Sequence, residues 1–96
     1  MDLQQLKSST KDDAPPGNIS LSLTALWHDA KGDWDRAHDL LQDDSDWTGS
    51  WVHAYLHRKE GDLVNAAYWY RRAKKPVCNR SLEAEWDEIV ESLLLL

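Results

Sequence analysis

ALWHDAKGDWDRAHDLL (residues 25–41) falls on AYLHRKEGDLVNAAYWY (residues 54–70) when the chain is shifted by 29 positions. Ala25 meets Ala54, His28 meets His57, Gly32-Asp33 meets Gly61-Asp62, and Ala37 meets Ala66. The Gly-Asp pair has a physical task in each copy. Glycine accepts the left-handed conformation that closes one helix, and aspartate caps the next by accepting from its free N–H groups. Each copy therefore reads as two helices joined by a very short turn. Self-similarity at this period marks a stacked helical repeat.

The second helix of each copy shows how the pairs bury apolar surface. Trp34, Ala37, His38 and Leu41 share one face, and Leu63, Ala66, Ala67, Tyr70 and Ala73 share another. The alanines let a partner helix approach closely. A last helix begins at Ser81, a good N-cap, with Glu83 and Glu85 favourably placed in its first turn. Its stripe is Leu82, Trp86, Ile89, Val90, Leu93 and Leu96. No strand-like alternation occurs anywhere in the chain. The expected fold is all-α: two short tetratricopeptide-like hairpins over 18–42 and 47–74, and a capping helix over 81–95. MDLQQLKSSTKDDAPPG (1–17) is polar and ends in Pro-Pro-Gly, and reads as a flexible tail with at most a turn of helix at 2–7.

EGDLVNAAYWYRRAKKP resembles the second half of a tetratricopeptide or Sel1-like repeat, with Gly61-Asp62, Ala66, Tyr70, Ala73 and Pro76 at the matching places. The words WDRAH, WVHAYLHRKEGD and NAAYWYRRA together are similar to a family of small uncharacterised proteins. The resemblance covers roughly residues 25–76 and implies an all-helical fold, with no known activity attached. The period departs from the ~34 residues of tetratricopeptide repeats, and the early Trp and Leu-Gly signature of their first helix is missing.

Bulk composition narrows the function. Ninety-six residues suffice for one core. The net charge of −6 argues against a nucleic-acid partner. One cysteine, Cys78, cannot build a disulfide framework, which makes a cytoplasmic location the simplest expectation. No apolar run is long enough for a bilayer span, so no membrane association is expected. Six tryptophans and no phenylalanine supply large buried areas to a small domain.

Two candidate sites follow. In repeats of this class the first helices line a concave surface, where Thr48, Trp51, Tyr55, Arg58 and Lys59 would form a peptide groove, helped by Arg71 and Arg72. An acidic protein or peptide is the expected partner. Alternatively, His53, His57 and Glu60 share a stripe on one helix, with His38 facing them from its neighbour. This set could hold zinc or another transition metal, or serve a histidine-based enzyme, although no cofactor is required by the sequence. The HEXXH pattern of metalloproteases is not met, because Ala54 follows His53. A homodimer through the C-terminal helix and its LLLL end is a further expectation.

Overall fold

The computed structural model describes residues 1–96. It contains six helices and no strand: α1 (Leu3–Ser9), α2 (Leu21–Ala30), α3 (Trp34–Leu40), α4 (Trp47–Glu60), α5 (Leu63–Ala73) and α6 (Leu82–Leu94). Each helix is opened by a short polar side chain that accepts from the first free backbone N–H groups. Asp2, Ser20, Asp33, Asp46, Asp62 and Ser81 have this role. The expected Gly-Asp turns are present, with Gly32 and Gly61 at φ of 88° and 91°. A side chain at Gly61 would meet no atom within 4 Å, so the preference for glycine there comes from the backbone alone.

The two hairpins are α2–α3 and α4–α5, and the latter pair has the most extensive contact in the fold. α4 is the spine. It packs against α5, α6, α2 and α3, and every residue from Thr48 to His57 is buried. Such a helix has no solvent face, so hydropathy cannot assign it one. Trp51, Tyr55 and Leu56 are therefore inside the fold together with His53 and His57.

The N-terminal segment corrects the expectation of a flexible tail. Asp2 and Gln5 form a reciprocal capping box at the start of α1, and α1 packs on α6. Leu6 is fully buried in the common core. Lys7 reaches Asp87 at 2.9 Å. The apolar content of 1–17 is too low to indicate docking, yet one leucine on a capped helix is enough when α6 presents a surface to cover.

Three tryptophans act as struts between helices through their indole N–H groups. Trp27 donates to the Ser9 hydroxyl at 3.2 Å, Trp34 to the Leu56 carbonyl at 2.8 Å, and Trp86 to the Leu26 carbonyl at 3.0 Å. These bonds link α2 to the end of α1, α3 to α4, and α6 to α2. The resulting radius of gyration is 12.2 Å, close to the ~12.5 Å expected for a compact chain of this length. Two residues depart from the apolar stripes: Leu63 is 66% exposed and Leu96 76%. Leu63 opens α5 at the hairpin turn, and Leu96 lies beyond the last turn of α6.

Candidate functional site

The groove expected on the first helix of the second hairpin is filled from within. Thr48, Trp51 and Tyr55 are buried. Thr48 shares a hydrogen bond with Ser22 at 2.9 Å. Tyr55 donates to Asp29 Oδ2 at 3.0 Å, and Lys59 binds Oδ1 of the same carboxylate at 2.9 Å. Arg58 pairs with Glu85 at 2.9 Å and also donates to the Arg80 carbonyl. Glu85 accepts in addition from the Tyr70 hydroxyl. The surface that a peptide would occupy is thus covered by α2 and α6. Burial and the adjacent carboxylates push both tyrosine hydroxyls well above their ordinary pKa, so they stay protonated as donors.

Arg71 and Arg72 do not belong to that surface. They lie exposed on α5 together with Tyr68, and Lys74 and the half-buried Lys75 follow just beyond its last turn. Val64, Tyr68 and Arg72 recur at helical spacing and form an exposed stripe that points toward Lys75. Arg72 lies over the rings of Tyr68 and Trp69, and Lys75 lies 4.3 Å from the centre of the Trp51 ring and 5.5 Å from that of Trp47. Trp47 and Tyr68 are 41% and 44% exposed. The ion pairs of the chain engage Lys7, His57, Arg58, Lys59 and Arg80, and none engages Arg71, Arg72, Lys74 or Lys75. The sequence signal for this patch was the run of cations itself, to which the helix dipole gives a sufficient structural reason.

The histidines meet as the antiparallel hairpins require. The His38 ring lies 5.0 Å from His53 and 5.1 Å from His57, and His53 and His57 are 5.9 Å apart. Trp34 stacks on His38 and Trp69 on His53, closing an aromatic cluster over α4 between α3 and α5. The ring centres converge, but the donor nitrogens do not. The one set of metal-type donors within 4.8 Å of one another is His57, Glu60 and Asp62. Of the expected set of His38, His53, His57 and Glu60, only His57 and Glu60 have donor atoms in this group, and the Gly61 turn brings Asp62 beside them.

His53 is buried and its Nδ1 has no hydrogen-bond partner. Burial, together with the neighbouring His38 and His57, pulls its pKa down to about 4. The unfolded chain, with an ordinary histidine pKa of ~6.5, binds a proton between these values while the folded chain does not. Stability is therefore lost as pH falls from 6.5 toward 4. By pH 5 the loss from this residue is about 2 kcal/mol. Urea unfolding at pH 7 and pH 5 should show that difference in wild type and largely lose it in His53→Asn. Equal pH slopes for the two proteins would remove His53 as its source.

The largest cleft, about 810 Å³, lies between segment 75–80 and α6 over Trp51. Cys78 and Arg80 line one side, and Asp87, Glu88 and Glu91 the other. No histidine lines it. Compared with known protein families, curated proteins and solved structures, the chain matches none. No helix is long and apolar enough to cross a membrane.

Proposed function

We propose that the chain is a protein-interaction module that holds an acidic segment of a partner protein along the exposed face of α5. The observation that carries this reading is a set of four cations without a carboxylate partner, Arg71, Arg72, Lys74 and Lys75, in a chain of net charge −6. Lys7, Arg58, Lys59 and Arg80 are paired with carboxylates, and the other unpaired cations, Lys11, Lys31 and Arg36, are not clustered in sequence as these four are. Here two of them lie against aromatic rings, which orients the charge and supplies apolar surface beside it. An acidic peptide can use both, through charge-assisted hydrogen bonds to Arg71 and Arg72 and apolar contact with Val64, Tyr68 and Trp47. A long polyanion such as nucleic acid would also meet the negative remainder of the molecule. The cleft beside α6 is a poorer receptor for an anion, since one of its walls is acidic.

A histidine-based enzyme is less well supported. His53 and His57 are 2% and 6% exposed, and the cleft beside α6 is lined by none of His38, His53 and His57.

The test is a titration of a labelled Asp/Glu-rich peptide, read by fluorescence anisotropy and by the emission of the exposed Trp47. Binding should weaken at least about tenfold in Arg72→Glu/Lys75→Glu and fall steeply with added salt. Equal affinity for the wild type and the double variant, or no binding by either, would rule out the α5 face.

A further inference from the structure

We propose that His57, Glu60 and Asp62 form a binding site for a divalent transition metal at the α4–α5 turn. His57 stands in the last turn of α4, and its Nδ1 points toward the turn, 2.7 Å from Glu60 Oε2. Glu60 is the last residue of α4, and the left-handed Gly61 turns the chain so that Asp62 lies beside both. The donor atoms of the three residues lie within 4.8 Å of one another. Bonds of ~2.0–2.2 Å to nitrogen and oxygen need donors about 3–3.5 Å apart. Glu60 already meets His57, so the remaining contraction falls on Asp62, an exposed side chain. Its Oδ1 accepts from the Asn65 N–H at 3.2 Å, and the other oxygen is left for a ligand.

Two further features fit a cation rather than an incidental contact. Neither carboxylate is paired with a lysine or arginine, and the one ion-pair contact of Glu60 is with His57. The far nitrogen of His57, Nε2, lies 3.4 Å from the Asn65 side-chain amide. With metal on Nδ1, Nε2 carries the proton and the amide oxygen accepts it once the amide is turned end over end. Support of this kind fixes the ring and its tautomer in metal sites. One imidazole and two carboxylates suit zinc, copper or nickel better than magnesium or calcium, which prefer oxygen alone. The first hairpin serves as a comparison within the same chain. There His28 and Asp33 occupy the matching places, but Lys31 stands where Glu60 stands in the second.

The experiment is a zinc titration of tag-free protein in competition with a chromophoric chelator. Wild type and His28→Gln should bind zinc equally and stoichiometrically. Glu60→Gln should bind at least about tenfold more weakly, and His57→Gln should lose the site, with far-UV circular dichroism showing each variant folded. No zinc binding by the wild type, or equal binding by wild type and Glu60→Gln, would overturn the assignment. So would loss of binding in His53→Gln with Glu60→Gln unaffected, because the metal would then lie among the stacked imidazoles.

Discussion

Glu85→Ala should destabilise the fold by about 3–5 kcal/mol, the range for removing one partner of a buried ion pair. Glu85 is 1% exposed and accepts from two side chains on different helices, Arg58 of α4 and Tyr70 of α5. Alanine would leave a guanidinium and a hydroxyl facing apolar surroundings, each with an unmet hydrogen bond. At roughly 4–8 °C per kcal/mol for a domain of this size, the melting temperature should fall on the order of 20 °C. The loss should shrink in a compensated variant. Glu85→Leu/Arg58→Met/Tyr70→Phe removes all three polar groups together and should recover most of the loss, since a buried pair often gains little over an apolar replacement. Thermal unfolding followed by circular dichroism separates the cases. A shift of only a few degrees in Glu85→Ala would mean that water reaches the site and that α6 is held by apolar contact alone.

Leu6→Ala should cost about 2–5 kcal/mol, as expected for a fully buried leucine truncated in a packed core. Gln4→Ala, on the exposed side of the same helix, should change stability by less than about 0.5 kcal/mol. The contrast discriminates between a docked helix and a tail. If both substitutions are neutral in urea unfolding, α1 is detached in solution and the α6 surface beneath it is open.

These two residues also show what the sequence could and could not reveal. The hairpin boundaries were legible because caps and Gly-Asp turns are local: the residues that end one helix and begin the next are neighbours in the chain. Leu6 was not, because a lone leucine in polar sequence signals nothing until a surface 80 positions away is there to receive it. Glu85 was read as a first-turn acid satisfied by the helix dipole. Yet it falls within the apolar stripe of α6, between Leu82 and Ile89, a position that foretells burial and therefore a partner. The groove of Trp51, Tyr55, Arg58 and Lys59 was a sound reading of one hairpin, undone by the way α6 and α2 close over it. The proximity of His38, His53 and His57 followed from hairpin geometry. The orientation of their nitrogens depends on side-chain torsions that no spacing encodes.

The Lys7–Asp87 contact joins residues 80 positions apart, across nearly the whole chain. Closing so long a loop carries more entropy loss than forming either hairpin. Assembly should therefore proceed from the two local turns outward, with the ends of the chain meeting last. The same order reversed makes α1 the first element to leave. Such an opening would leave the hairpins intact while baring the α6 surface beneath α1 and freeing the Trp27 indole N–H from Ser9.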